Sequence, residues 1–322
     1  MSKLRVLSLF SGIGAFEKAL TNLNIPFDLV GFSEIDKYAI KSYCAIHNVD
    51  ISKNLGDITK INLDTVGDFD ILVGGSPCQN ISIMRKTSVE DRNPEGLSGS
   101  ESRLFFDYVN VLNRKLPKYF IFENVRNLLS TNKGKDFETV LELLGEHYNL
   151  HYQVLNSSDY GVPQTRRRLF IVGQRKDLGE FNFSFPVKIP LDITAKQLLE
   201  PKVGDKYYLS DKMYKTVMST GTKGWYAKPE ADCDIAKPLV STMHKMHRAS
   251  TDNYYHTEYK PEGKTNLRRL TPLEAFRLQG FSDIDYKNVC NAGISDTQMY
   301  RQVGNSITVT VLEHIFTQLF NI

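Results

Sequence analysis

The stretch Val6-Leu7-Ser8-Leu9-Phe10-Ser11-Gly12-Ile13-Gly14 leads straight into the segment Ala15 to Leu23. The apolar run Val6 to Phe10 reads as a buried strand, and two glycines follow it. Phe16, Leu20 and Leu23 then share one helical face. Short apolar runs and longer amphipathic stretches then alternate along the first ~175 residues, without an internal repeat. Further strands are expected at Phe27 to Ser33, Asp70 to Gly74, Tyr119 to Phe122, Leu150 to Leu155 and Leu169 to Gly173. Helical patterns fall between several of them, at roughly 36–47, 102–113 and 134–147. Such alternation predicts a mostly parallel sheet with helices on both faces.

After Arg175 the texture changes. Phe183, Phe185, Pro186 and Pro190 break the rhythm, and residues 200–265 lack a helical period. A helical pattern returns at Pro272 to Leu278, and Val309 to Phe320 closes the chain. The expected division is a main domain at 1–183 plus 297–322, and a smaller irregular domain with its hinge at 184–296. The chain of 322 residues is long enough for both. At 41% hydrophobic and 24% charged it has ordinary globular composition. No apolar run approaches the ~20 residues of a membrane helix, and Met1 to Arg5 lack the pattern of a signal peptide. The cytoplasm is the expected location. Cys44, Cys78, Cys233 and Cys290 form no C-x-x-C pair, which argues against a zinc site or disulfide framework; no metal is expected. A net charge of +3 announces no nucleic-acid binding by itself. Residues 205–270 nevertheless hold 12 basic and 8 acidic side chains, and Met243-His-Lys-Met-His-Arg248 has no acid.

Glycines between a first strand and a first helix let backbone approach a ligand at the helix's positive end. A tight turn in any α/β protein would read the same way. The dinucleotide fingerprint needs a third glycine where Glu17 stands, so NAD is disfavoured. Glu34, at the end of the second strand and 20 residues past Gly14, is placed to grip ribose hydroxyls. Asp57 could accept from an adenine amino group or could simply cap a turn. The set suits an adenosine-bearing cofactor without a pyrophosphate.

Gly74-Gly75-Ser76-Pro77-Cys78-Gln79 follows a strand. Its glycines and proline force a bend beyond the strand's carboxyl end, where open α/β sheets place ligands. Cys78 is thereby offered to a pocket, as a thiol that must ionise to react. Cys44 and Cys290 read as inert. In Tyr119-Phe-Ile-Phe-Glu123-Asn-Val125 an apolar strand runs into an acid. Such surroundings raise a carboxyl's pKa and allow it to donate a hydrogen bond to a heterocycle. A Glu opening an exposed helix is the plainer alternative.

Together these segments resemble the cytosine-5 DNA methyltransferases. Phe10-Ser-Gly-x-Gly looks like the family's cofactor loop, Gly75-Ser-Pro-Cys-Gln79 its nucleophile motif, and Phe122-Glu-Asn-Val125 its acid motif. Gln164-Thr-Arg-Arg-Arg168 matches its Q-x-R-x-R, Arg269 to Gly280 its late helix motif, and Gln302-Val-Gly-Asn-Ser306 its closing motif. The order along the chain is the family's, and the size is similar to that of compact bacterial or phage restriction-modification enzymes.

The resemblance implies a doubly wound mixed sheet of the S-adenosylmethionine-dependent methyltransferase type, with a smaller target-recognition domain. It implies S-adenosyl-L-methionine as cofactor, held by Phe10, Ser11, Gly12, Ile13, Gly14, Glu34, Asp57, Pro77, Asn305 and Ser306. A cytosine is flipped from double-stranded DNA. Cys78 adds to C6, Glu123 bonds N3 and the amino group, and C5 takes the methyl group before losing its proton. Arg166 would hold the flipped base and a phosphate; Arg168 would hold the base or buttress the acid as an ion pair. Ser82, Arg85, Arg166, His244, Lys245, His247 and Arg248 are the DNA-contact candidates. After Gln79 this chain departs from the family's small-residue pattern, and 80–100 reads as a mobile loop bent at Gly96 and Gly99. A monomer is expected, and a cognate restriction endonuclease would be a functional companion only. An RNA (tRNA) cytosine methyltransferase and a non-catalytic scaffold that binds cofactor or DNA are the alternatives.

Overall fold

A computed structural model of the chain describes residues 3–76, 104–222 and 224–322. The chain forms two compact units, one of Met1–Leu155, Arg167–Val187 and Leu312–Ile322, the other of Asn156–Arg166 and Lys188–Val311.

The first unit is built on β1 (Leu4–Leu9), α1 (Ala15–Asn22), β2 (Phe27–Ser33), α2 (Lys37–His47) and β3 (Ile71–Gly74). It continues with α3 (Leu104–Lys115), β4 (Tyr119–Val125), α4 (Lys135–Leu144), β5 (Tyr148–Asn156) and β6 (Arg167–Arg175). The sheet order is β2-β1-β3-β4-β6-β5. β1 pairs in parallel with β2 and β3, and β3 with β4, whereas β6 runs antiparallel to β4. The sheet is therefore mixed and reverses its winding at β1.

Period-2 alternation buries both sheet faces. Leu7, Leu9, Leu72, Phe120, Phe122 and Ile171 share one core with Phe105, Tyr108 and Leu112 of α3 and Val140 and Leu144 of α4. The alternate residues Val6, Val73, Ile121 and Val172 are also fully buried. On that second face Tyr119 meets Phe320 at 6.0 Å, and Phe16 of α1 meets Phe316 at 6.5 Å. Arg5 and Lys118 both pair with Asp70 at the start of the central strands. Burial alone would raise the Asp70 carboxyl, but these two cations bring it down to about 2.

The second unit carries α5 (Asp211–Val217), the short strands β7 (Gly221–Thr222) and β8 (Trp225–Tyr226), then β9 (Tyr254–His256) and β10 (Leu267–Arg269). α6 (Pro272–Arg277), α7 (Asp283–Asn291) and α8 (Asp296–Asn305) follow; α9 (Val309–Phe320) closes the chain, its residues from Leu312 onward belonging to the first unit. A small core of Leu209, Val217, Ala249, Tyr254 and Leu267 sits here. Beside it, Arg268 and Glu274 form a 2.7 Å ion pair, both almost fully buried. Thr271 and Glu274 make a capping box that starts α6.

The units divide differently from the boundaries read in the sequence, because segments 156–166 and 297–311 sit in the second unit. Long-range polar contacts hold them there. Ser157 and Thr308 hydroxyls lie 2.7 Å apart, and Gln164 reaches Leu278 and Leu239. Local periodicity carries no sign of such contacts. Among the described residues no helix is long and apolar enough to cross a membrane.

Candidate active site

The turn between β1 and α1 is strongly left-handed, with positive φ at Phe10 (53°), Gly12 (55°) and Gly14 (80°). A Cβ added at Gly12 would meet no atom of the described chain within 4 Å, so backbone lies open on that side. The Glu34 carboxylate, at the end of β2, accepts from Gly12 N at 2.9 Å, Ile35 N at 2.8 Å and Asp36 N at 2.9 Å. It thus ties the glycine loop to the second strand. Ser11 Oγ turns inward to the carbonyls of Ser8 and Ser33. Ile13 is buried, so its side chain belongs to the core and only its backbone faces the loop.

Asn54 joins the two acidic positions. Its Oδ1 accepts from Glu34 N at 3.2 Å and Gly56 N at 3.1 Å, while its Nδ2 donates to Glu34 O at 3.1 Å. Asp57 follows directly. One of its oxygens caps a short 3₁₀ turn, accepting from Thr59 N and Thr59 Oγ1, and these bonds hold the carboxyl below its ordinary value. The cap reading of Asp57 is therefore realised, and its second oxygen lies 3.6 Å from Lys60.

β3 delivers the chain to the acid. A Cβ on Gly74 would sit 2.4 Å from Leu9 O, and one on Gly75 would sit 2.6 Å from Glu123 O and 2.7 Å from Glu123 Oε2. The chain can pass over Glu123 only because Gly75 has no side chain. Gly75 stands three residues before Cys78 in the sequence. Pro77, Cys78, Ser82, Arg85 and the 80–100 segment with Gly96 and Gly99 lie outside the described residues. Glu123 Oε1 pairs with Arg168 Nε at 3.0 Å, both side chains being mostly but not wholly buried.

Gly75→Ala is expected to lower the single-turnover methylation rate on the order of 10²-fold, the cost of about 1 Å of misplacement. The KM for S-adenosylmethionine should stay near its starting value, as the pocket at Gly12 and Glu34 is untouched. Rapid-quench kinetics reads both.

Arg166 lies within the second unit. Only 3% exposed, it donates to Leu239 O at 2.9 Å, Gly304 O at 3.1 Å and Ser306 O at 2.7 Å. Nη1 and Nη2 of this guanidinium are thus taken up by backbone carbonyls. Arg166 is a positioning residue that pins three distant segments of the second unit. Gly304 permits the same convergence, since a Cβ there would sit 2.3 Å from Ser241 N. Ser306 is buried in this cluster, whereas Asn305 is exposed and its side chain makes no hydrogen bond to the described residues.

The sequence pattern that defines the family described as C-5 cytosine-specific DNA methylase matches residues 4–321. The chain belongs to this family. The orphan methyltransferase M.SPRI of Bacillus phage SPR is 34% identical, with 100% of this chain and 98% of the relative covered. That alignment runs over 438 positions, so the relative carries segments without a counterpart here. The type II methyltransferase M1.ScrFI of Lactococcus lactis subsp. cremoris is also 34% identical, over 100% of this chain and 79% of its own length. Among solved structures, the Entamoeba histolytica methyltransferase EhMeth has a TM-score of 0.78 at 18% identity, covering 100% of this chain and 99% of that one. The S. pombe Dnmt2 methyltransferase has a TM-score of 0.77 at 21% identity, with 99% of each chain covered. At these identities the solved structures show the fold, a doubly wound mixed sheet, and nothing finer.

This DNA methylase therefore uses S-adenosylmethionine, the methyl donor of its family. The first unit fits that molecule: open backbone at Gly12, a fixed carboxylate at Glu34, and a second acid at Asp57 on the Asn54 frame. In its second unit the run 243–248 is held by its backbone. Arg269 donates to His244 O at 3.3 Å, Tyr254 OH to His247 O at 2.6 Å, and His247 N to Asp252 at 2.7 Å. Burial pushes the Asp252 carboxyl up. Lys245 is exposed, and His244, His247 and Arg248 are half-buried. His244 Nδ1 lies 3.2 Å from Ser241 O and His247 Nε2 lies 2.9 Å from Thr242 Oγ1. Lys245 is thus the most accessible of these candidates.

Sequence reasoning missed Asn54, Gln164, Gln279 and Gly304 as organisers. Gln279 donates to Val303 O at 2.7 Å and accepts from Thr308 at 2.9 Å. A glutamine inside an apolar helix motif was the available signal, because a buried amide demands partners.

Proposed function

We propose that this DNA methylase methylates cytosine at C5 within one short duplex sequence, with Cys78 as nucleophile and Glu123 with Arg168 as the groups that hold the base. The observation that carries this reading is the contact of Gly75 with Glu123. A three-residue tether spans at most ~10 Å, so the thiol is delivered to the neighbourhood of the carboxylate. Carrying a proton, Glu123 is placed to donate it to N3, where thiolate addition at C6 builds negative charge. Arg168, fixed by its 3.0 Å pair to Glu123 and by donation from Nη1 to Arg167 O at 2.9 Å, orients the acid.

S-adenosylmethionine supplies the electrophilic methyl group. Phe10, Ser11, Gly12 and Gly14 present backbone to it, and Glu34 grips its ribose. Lys245, His244, His247 and Arg248 supply phosphate and base-edge contacts in the recognition unit. One chain carries all of these groups, which supports a monomer. A cognate restriction endonuclease would share the recognition sequence and no surface.

Transfer of labelled methyl groups to duplex DNA and to tRNA tests the substrate. Incorporation into the duplex at least about 100-fold above tRNA is expected, a margin of about 2.7 kcal/mol. Preferential labelling of tRNA would overturn the reading.

A further inference from the structure

Behind the glycine loop stands a residue that no motif includes. His47 ends α2, and its Nε2 lies 3.1 Å from the carbonyl oxygen of Ile13. Its ring packs 4.7 Å from that of Tyr43. Tyr43 is fully buried and stacks on Phe32 of β2 at 4.0 Å and 15°. Burial, with the neighbouring Glu17 carboxylate, pushes the Tyr43 hydroxyl well above its ordinary value and keeps it protonated. A Cβ on Gly14 would lie 2.1 Å from His47 Nε2 and 2.8 Å from Tyr43 Cε2. His47 and Tyr43 therefore form the floor on which the Ile13–Gly14 peptide rests.

That peptide has two ends to orient. Gly14 N donates to Ser11 O at 2.8 Å, which closes the turn. The Ile13 carbonyl, pointing the other way, is tied to the imidazole. Without a donor beneath it, this carbonyl could rotate toward the open side of the loop and set an acceptor where N–H groups are needed for a ligand. α2 is itself anchored by its Asp36 cap, whose backbone N–H is held by Glu34. One helix thus registers the glycine loop against the strand end that bears the ribose-gripping acid.

We propose that His47 is a positioning residue for S-adenosylmethionine binding, acting through its Nε2–H bond to Ile13. This rests on the reading that the Phe10–Gly14 loop and Glu34 hold the cofactor. The test compares His47→Leu, which fills the space without a donor, with His47→Gln, whose amide can donate. Glu34→Gln serves as the control for the pocket itself. Calorimetric Kd for S-adenosylhomocysteine, KM for S-adenosylmethionine, kcat, KM for DNA and Tm are read for each. His47→Leu is expected to raise the Kd and the cofactor KM about ten-fold, the weight of one good hydrogen bond. Saturating kcat and KM for DNA should stay within about two-fold, and His47→Gln should restore most of the loss. If His47→Leu does not fold, His47→Asn, too short to reach Ile13, carries the same expectation. Equal effects of Leu and Gln, or unchanged binding in His47→Leu and His47→Asn while Glu34→Gln weakens it, would overturn the role of His47 alone. Unchanged binding in Glu34→Gln would overturn the pocket reading as well.

Discussion

Cys78→Ser is expected to lower the rate of cytosine methylation on the order of 10⁴-fold, about 5.5 kcal/mol of barrier. The estimate follows from the chemistry of addition. C5 of cytosine becomes nucleophilic only when an atom adds to C6, and that atom must also leave afterwards. A thiol of ordinary pKa near 8.5 supplies an appreciable thiolate at neutral pH. A serine hydroxyl in the same place holds its proton far more tightly, and its alkoxide is a poor leaving group. Among the described residues, Gly75 brings the chain against the Glu123 carboxyl, which is already paired with Arg168. S-adenosylhomocysteine binding should be unchanged, because the groups assigned to the cofactor lie mainly on β1, β2 and the turns after them. Stopped-flow methylation with a single unmodified site measures the rate, and a variant within ten-fold of the parent would contradict the assignment.

The second large effect is expected at Arg166. Arg166→Met keeps the length and removes every donor, leaving the carbonyls of Leu239, Gly304 and Ser306 without the guanidinium that now serves them. Each buried acceptor left unmet costs roughly 1–3 kcal/mol, and the three relax partly together. A loss of about 3–4 kcal/mol is expected, or a fall in Tm of roughly 10 °C for a unit of this size. Activity should fall with stability, because Leu239 opens the segment that runs through Ser241 to Arg248. Arg166→Lys should retain one of the bonds and lie between. If Arg166 instead held a phosphate directly, Arg166→Met would keep its Tm, weaken DNA binding and flatten its salt dependence. Urea melts with and without DNA separate the two cases.

Much of this was open to a reader of the sequence, and the reasons differ by residue. The strand-turn-helix unit at Val6–Leu23 was legible because two periodicities meet at glycines that only a left-handed turn requires, and the structure bears positive φ at Gly12 and Gly14. The acid at Glu123 was legible because apolar residues end abruptly in a charge. An ion pair from Arg168 to that acid could be named, and Arg168 lies 3.0 Å from it, but the carbonyls that surround Arg166 could not. The two arginines stand two residues apart around the start of β6, and each joins a different unit. Nothing local tells which is enclosed. α5, α7 and α8 were missed for a related reason: their windows mix polar residues and tyrosines, and capping serines at 210, 282 and 295 were the quieter signal. Asn54, Gln279 and His47 act through bonds spanning some 20 residues or more, a distance that pattern reading does not cross.

The central claim is a transient bond between one sulfur and one ring carbon. A duplex bearing 5-fluorocytosine at the target position, incubated with S-adenosylmethionine, interrogates it directly, since fluorine cannot leave as the C5 proton does. The expected result is a protein–DNA adduct that survives denaturation and maps by mass spectrometry to the peptide containing Cys78, absent from Cys78→Ser. An adduct of equal yield in Cys78→Ser, or one mapping to another residue, would contradict the account.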